Sequence, residues 1–266
     1  MDWIIGAAAA LLVSGAAYRR RSLTLSGCAA AVIIGTVYYG AGNLFWFGTL
    51  LLFFITSTAL SKYKQGRKAE LEKSYAKTGN RDAGQVLANG GIGMLLCILN
   101  FVWPHPVWAL FFIGVMATVT SDTWATEIGS LSRKPPRFIL NGKVMQPGTS
   151  GGVSWLGTGA ALAGGMTIGV GAWLFQLVEG ATLLGWWEWL LIGGVAGIGG
   201  AFTDSYLGAT VQLMHRCKVC GREVEVEMHC GQETLAVRGW GWMSNDAVNL
   251  ISSIVGGALA LLALTL

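Results

Sequence analysis

All 18 lysines and arginines of this 266-residue chain fall in four short connections, and the sequence between those connections is long, apolar and nearly uncharged. Eight such stretches stand out, near 2–17, 23–41, 43–60, 86–103, 106–130, 151–177, 186–208 and 246–265. A stretch of about 20 apolar residues is what a helix needs to cross the hydrocarbon core of a bilayer. Eight of them occupy roughly 160 positions, which leaves no room for a large soluble domain. Charged residues make up only 12% of the chain, where a soluble domain carries about 25%, and mean hydropathy is +0.55. The expected fold class is therefore all-α: a single polytopic membrane domain, 1–266, built as a bundle of about eight transmembrane helices. Disordered, collagenous and disulfide-framework architectures are excluded. The 39 glycines fit the same reading, because small residues let membrane helices approach closely.

Threading the chain through eight spans puts connections 18–22, 61–85, 131–150 and 209–245 on one side, and these hold three, seven, four and four of the cations. The positive-inside rule makes that side cytoplasmic. Both termini then lie on the opposite side, with the turn at 103–106 and the Trp-rich stretch 179–189, where Trp103, Trp108, Trp186, Trp187 and Trp189 are expected as interfacial anchors. The first span has no basic n-region or clear cleavage site and reads as a retained helix. A net charge of +4 arises from topology and requires no nucleic-acid partner. Two cytoplasmic excursions remain, a basic arm at 61–85 and an insert at 214–243.

An ionised Asp deep in a membrane helix costs about 2.5–3.5 kcal/mol on insertion scales, so each demands a partner or a task. Asp122 and Glu127 lie toward the cytoplasmic end of the fifth span, Asp204 at a matching depth of the seventh, and Asp246 opens the eighth. Helical spacing puts Asp122, Ala125 and Gly129 on one stripe, Asp204, Gly208 and Gln212 on another, and Asp246, Asn249 and Ser253 on a third; Glu127 sits off the Asp122 stripe and faces a neighbouring helix. Arg81, Gln85 and Asn89 form a polar line entering the membrane from the same side. No Lys or Arg lies within the spans carrying Asp122, Asp204 and Asp246, so compensation falls to loops, protons or a bound cation. Mg²⁺ suits such a site, since it takes one or two carboxylates together with substrate phosphates and water, and such sites serve phosphoryl transfer. The competing reading of Asp246, with Ser244, is a plain helix cap.

Between spans five and six, Gly148-Thr149-Ser150-Gly151-Gly152 follows Lys143 and is expected to open the next helix. Small residues there expose backbone N–H groups and the positive end of the helix dipole to phosphate, with Lys143 as a point charge. The alternative is a simple reverse turn; the order of a Walker A motif is missing. In the insert, Cys217, Cys220, His229 and Cys230 form C-x2-C-x8-H-C. Thiolates in a reducing compartment favour metal over disulfide, so a structural Zn²⁺ is one reading and free or redox-labile thiols the other. The alternation Glu223, Val224, Glu225, Val226, Glu227, Met228 reads as one strand of a small hairpin.

Five ordered blocks, RDAGQVLANGG, SDTWATEIG, GTSGGVS, TDSYLGATVQ and SNDAVNLIS, running from Arg81 to Ile254, closely resemble the DUF92 (transmembrane protein nineteen) membrane family, whose plant member is the phytyl-phosphate kinase of the vitamin E pathway. More distantly, Asp122-x-x-Ala125-x-x-x-Gly129, then Lys143 and Gly148-Thr149-x-Gly151-Gly152, are similar to elements of CTP-dependent polyprenol kinases and CDP-diacylglycerol synthases. Asp204-Ser205 is similar to a later block of the synthases. The resemblance implies CTP as nucleotide and Mg²⁺ as cofactor.

The expected function is an integral-membrane kinase that moves a phosphoryl group from CTP, or another nucleoside triphosphate, to an isoprenoid monophosphate. Its lipid tail would lie among small-residue helices and its head in the cytoplasmic polar cluster. Asp122, Asp204 and Asp246 are the expected Mg²⁺ ligands, Glu127 a candidate second ligand, and Arg81 and Lys143 the phosphate neutralisers. Gly148 to Gly152 and Ser205 would cradle the nucleotide, with Asn89, Asn245 and Asn249 orienting it. Two other classes use the same features. A cytidylyltransferase would join the lipid to the α-phosphate of CTP, and a transporter would use the embedded acids to carry ions, a reading to which the repeated Ser/Thr-Asp-Ser/Thr-aromatic blocks at 121–124 and 203–206 add weight.

Overall fold

A computed structural model describes residues 1–75 and 79–264, apart from the side chains of residues 69, 70 and 72, so residues 76–78 of the basic arm lie outside the described residues. The chain is built of helices α1 (Asp2–Arg19), α2 (Leu25–Val37), α3 (Leu44–Lys62), α4 (Gln65–Glu72), α5 (Ala83–Val102), α6 (Pro106–Gly129), α7 (Trp155–Val178), α8 (Trp186–Thr210) and α9 (Asn245–Ala263). Among the described residues, seven helical spans are long and apolar enough to cross a membrane, α2 reaching that length through a π-helical continuation, Tyr38–Gly42. The eighth expected span, α1, is helical over its predicted stretch but falls outside those seven. Its 18 residues begin at Asp2 and end at Arg19, so its apolar length is the shortest of the set.

Helix boundaries follow local chemistry. Thr24, Asn43 and Ser154 accept backbone N–H bonds at the starts of α2, α3 and α7, satisfying donors that a helix start otherwise leaves open. Asp82 and Gln85 form a reciprocal capping box on α5, and Pro106 occupies the first turn of α6 after the His105 cap, where its missing N–H costs nothing. Helix α6 is the hub. It packs against α3, α5, α7, α8 and α9 and is buried without interruption from Phe112 to Ser121. Gly165 of α7 and Gly193 of α8 show why glycine is needed at such crossings: a Cβ on either would stand 2.3 Å from the other's carbonyl oxygen.

At one end of the bundle Phe45, Trp46, Phe112 and Trp189 form an aromatic cluster, with Trp46 stacked on Phe112 at 4.5 Å. Trp189 is fully buried there, not an interfacial anchor as its neighbours Trp186 and Trp187 are placed to be. The reason is its indole N–H, which donates to the buried Gln176 side chain at 2.9 Å and so has a partner without reaching water.

At the other end the four basic connections meet. Lys62 Nζ donates to the Arg20 carbonyl, the Arg81 N–H to the Ser22 carbonyl, Ser150 Oγ to Gln212 Oε1 and the Glu225 N–H to the Ser74 carbonyl. The alternating run Glu223 to Met228 does not form the one hairpin strand expected but is split between two pairings. Glu223–Val224 (β4), Met214–Arg216 (β3) and Leu235–Arg238 (β7) form a three-stranded sheet in that order, while Met228–His229 (β5) pairs with Gln232–Glu233 (β6) in a separate hairpin. The strand breaks at Glu225, because that residue's backbone and side chain are both bonded to other parts of the chain.

Candidate functional site

The meeting of the basic connections encloses a cavity of about 560 Å³, within the range of about 300–1,000 Å³ usual for small-molecule sites. Its floor is the membrane bundle. Helix α6 presents Asp122, Ala125 and Gly129, α8 presents Asp204 and Ser205, and α9 presents Asn245 and Asn249. Arg81, Gln85 and Asn89 at the start of α5 form a side wall, the 148–152 turn a second, and Glu225 enters from the insert.

Asp122, Asp204 and Glu225 are close enough to interact electrostatically. Asp204 accepts a hydrogen bond from the buried Ser252 Oγ at 3.1 Å. Their donor set is oxygen only, three carboxylates with the Ser205 hydroxyl beside them, which is the chemistry of a hard cation such as Mg²⁺. Since α6, α8 and α9 contain no Lys or Arg, positive charge reaches the cavity from outside those helices, through Arg67, Lys68, Arg81 and Lys134.

Two of these cations are held in place. Lys68, on α4, is ion-paired with Glu127 and donates to the carbonyls of Leu60 and Ser61, both at 2.9 Å, thereby satisfying carbonyls that the last turn of α3 leaves open. Ser61 Oγ donates to the other Glu127 oxygen. Glu127 thus serves neighbouring elements, as its position off the Asp122 stripe suggests, through a lysine that binds α4 to α3 and α6. Arg81 is 6% exposed; it donates to Thr58 Oγ1 at 3.0 Å and lies 5.8 Å from the Phe54 ring centre. Burial pulls its pKa down and nearby Glu127 opposes that shift; guanidinium stays charged regardless.

The 148–152 segment does not itself open a helix. Gly148 and Gly151 have φ of +87° and +88°, a turn that L side chains adopt with strain; Gly152–Val153 (β2) pairs with Arg137–Phe138 (β1), and α7 starts at Trp155 with Ser154 as its cap. A Cβ at Gly151 would meet Ala209 at 2.6 Å, so the turn lies directly on α8. Ser150 is tied to Gln212, whose Nε2 donates to Glu225 Oε1 at 2.9 Å. One side chain therefore links the glycine turn to the insert.

Two expected residues lie apart. Lys143 is exposed on the turn of the β1 loop, where its N–H donates to Asn141 Oδ1, and Lys134 takes the place at the cavity rim. Asp246 is in the first turn of α9, behind Asn245, and does not line the cavity, while Ser244 caps the helix by accepting the Ala247 N–H. Lys68, Lys134, Glu225 and Ser252 were not singled out from sequence. Lys68 and Lys134 sit in ordinary basic runs, and Glu225 was read as a strand residue; only the fold places them here.

In the insert, ligand atoms of Cys217, Cys220, His229 and Cys230 all lie within 4.8 Å of one another. His229 Nδ1 is 3.6 Å from Cys220 Sγ and 3.2 Å from Cys230 Sγ. Bonds from the Cys220 backbone first, then the His229 side chain and the Val219 backbone, pull the Cys217 thiol down to about 6, the direction that favours metal binding. Three sulfurs and one imidazole nitrogen at this separation fit a tetrahedral zinc ion, and the adjacency of His229 and Cys230 is no obstacle because Cys230 adopts φ +53°.

Fold and site together define a polytopic membrane protein with an acidic, cation-rimmed cavity at one end of its bundle and a Cys/His cluster beside it. The chain belongs to the DUF92 family of integral membrane proteins, whose model matches residues 8–257. It is 33% identical to Protein PGR of Arabidopsis thaliana, over 95% of this chain and 92% of that one. It is 31% identical to the uncharacterized membrane protein MJ0933 of Methanocaldococcus jannaschii, over 86% and 83%, and 26% identical to Protein VTE6, chloroplastic, of Arabidopsis thaliana, over 95% and 66%. No solved structure matches the chain.

Proposed function

We propose that the protein is a membrane kinase that transfers the terminal phosphoryl group of CTP to an isoprenoid monophosphate, with the cavity facing the cytoplasm. The observation that carries this reading is the convergence of Asp122 and Asp204, from two facing helices, with buried Arg81 and the Gly148–Gly152 turn in one cavity. The family resemblance supplies the nucleotide and the acceptor class.

In this account an oxygen of the acceptor phosphate attacks the γ-phosphorus, the bond between the γ-phosphorus and the β,γ-bridging oxygen breaks, and CDP leaves. Asp122 and Asp204 would hold Mg²⁺, with Glu225 beside them; bound there, the ion would neutralise charge on the β- and γ-phosphates. The N–H groups of the glycine turn, that of Ser150 included, and the Ser205 hydroxyl would hold phosphate oxygens, while the Ser150 hydroxyl stays donated to Gln212. Asn89, Asn245 and Asn249 orient the nucleotide, and Arg81 binds the acceptor phosphate, with Lys134 in the role first given to Lys143. The acceptor is already an anion, so no strong base is needed; positioning and charge cancellation supply the rate. Zinc at Cys217, Cys220, His229 and Cys230 would fix the insert and with it Glu225.

Purified protein incubated with Mg²⁺, farnesyl or phytyl monophosphate, and CTP labelled at either the α- or the γ-phosphorus tests this directly. Label in the lipid from the γ-position alone is expected. Label from the α-position alone would make it a cytidylyltransferase, and nucleotide-independent ion or solute uptake by vesicles would make it a transporter. Asp122→Asn is expected to abolish transfer while the protein still inserts and folds; wild-type turnover in that variant removes Asp122 from the mechanism.

A further inference from the structure

A second, almost wholly apolar crevice adjoins the polar cavity, and the two share Arg81 and Asn89. It runs between α1, α2, α3 and α5. At the junction Leu23 pairs with Arg81 across the backbone and Phe54 lies beside the guanidinium. Midway, Gly90 faces Ile34 and Leu50, to which a Cβ there would come within 3.4 and 3.9 Å. At the far end Ala10, Gly35 and Phe47 meet. From Phe54 to Phe47 along α3 the crevice runs about 10 Å at 1.5 Å per residue; its volume is about 60 Å³, so a farnesyl or phytyl tail would enter it only by moving its walls apart.

A buried cation at the seam of a polar chamber and an apolar slot matches one class of ligand, a molecule with an anionic head and a hydrocarbon tail. Burying a guanidinium against such a slot is costly unless an anion meets it. Thr58 and the nearby Glu127 already compensate part of this burial, and a phosphate on the cavity side of Arg81 with a tail running past Phe54 would occupy both compartments. We infer that this crevice is the tail-binding site of the isoprenoid monophosphate, entered at Arg81 and closed at Ala10, Gly35 and Phe47, and that its depth sets chain-length preference. The inference rests on the kinase reading for the identity of the head group; the slot and its junction stand without it.

The test compares Gly90→Leu with Gly91→Leu. A side chain at Gly90 enters the crevice, while a Cβ at the next residue of the same helix meets nothing within 4 Å. Each protein is assayed for binding and for phosphorylation of dimethylallyl, geranyl, farnesyl and phytyl monophosphates. Gly90→Leu is expected to weaken binding of the farnesyl and phytyl compounds by about tenfold or more, as overpacking an apolar slot does, with dimethylallyl monophosphate little changed; Gly91→Leu should keep the wild-type profile. A farnesyl monophosphate with a diazirine at its tail end, photolysed on the wild-type protein, gives a reading that needs no variant: label is expected on α1, α2 or α3 near Ala10, Gly35 and Phe47. Phosphorylation with an unchanged chain-length profile in Gly90→Leu, or label confined to outward-facing residues such as Leu95, overturns the tail site and leaves the kinase intact. Binding that depends on Gly90 without any phosphoryl transfer does the reverse. No binding of any prenyl monophosphate overturns both.

Discussion

Replacing Lys68 by Met removes a cation that is 3% exposed at its side chain and leaves Glu127, 17% exposed, with the Ser61 hydroxyl and the nearby Arg81 charge. Removing one partner of a buried ion pair costs about 3–5 kcal/mol, because the remaining charge is desolvated without compensation. Glu127 borders the polar cavity and would recover some hydration, which argues for the lower end, about 3 kcal/mol. The Leu60 and Ser61 carbonyls also lose the lysine's hydrogen bonds, but Leu60 keeps the Tyr63 N–H and at a helix end facing the cavity water replaces the rest at little net cost. At about 2–4 °C per kcal/mol for a chain of this size, Tm should fall by roughly 6–12 °C. The 12 tryptophans make intrinsic fluorescence during a thermal ramp in detergent micelles a suitable assay. The double variant Lys68→Met with Glu127→Leu should regain at least half of the loss, since apolar replacement of a whole buried pair is often neutral. A single variant melting with the wild type, or a double variant worse than the single, would refute the role assigned to this pair.

Gly165→Val should prevent accumulation of folded protein, because the new Cβ would stand 2.3 Å from the Gly193 carbonyl and 3.0 Å from Ser121 Oγ, whereas Gly159→Val, where a Cβ meets nothing within 4 Å, should extract from membranes in wild-type yield; equal yields would contradict the tight α7–α8 crossing. Protein purified without chelator should carry one zinc per chain by elemental analysis, on the four ligands grouped in the insert. Cys220→Ser and Cys230→Ser should each lose it, and metal-free wild-type protein with four or more titratable thiols would sink the zinc assignment.

The bundle could be read from the chain because a bilayer imposes one crude rule, and runs such as 106–130 obey it whatever their neighbours do. Asp122 and Asp204 were visible for the same reason: a carboxylate within an apolar run is conspicuous without any knowledge of what lies beside it. Contacts between distant residues were not visible. Lys68 and Glu127 are separated by 59 positions, and nothing in a seven-cation arm marks which lysine turns inward. Glu225 alternates with valines as a strand residue would, and only the bonds to Ser74 and Gln212 reveal that the strand breaks there to place the acid in the cavity. Lys143 had the better sequence context but lies on an exposed turn, while Lys134, beside two prolines, reaches the rim. Trp189 misled in the opposite direction, since its partner Gln176 lies on another helix and could not be inferred from a Trp-rich edge. Local chemistry fixed the caps at Thr24, Asn43 and Ser154; packing decided the rest.

The central claim is that acids embedded at one end of the bundle act on a divalent cation and a nucleotide together. Mn²⁺, a paramagnetic substitute for Mg²⁺, can be titrated into the detergent-solubilised protein with a non-hydrolysable CTP analogue while the free ion is followed by electron paramagnetic resonance. The account predicts a saturable site in the wild type whose affinity drops by about tenfold or more, roughly 1.4 kcal/mol, in both Asp122→Asn and Asp204→Asn. Identical Mn²⁺ uptake by the wild type and both variants, with the analogue present, would contradict it.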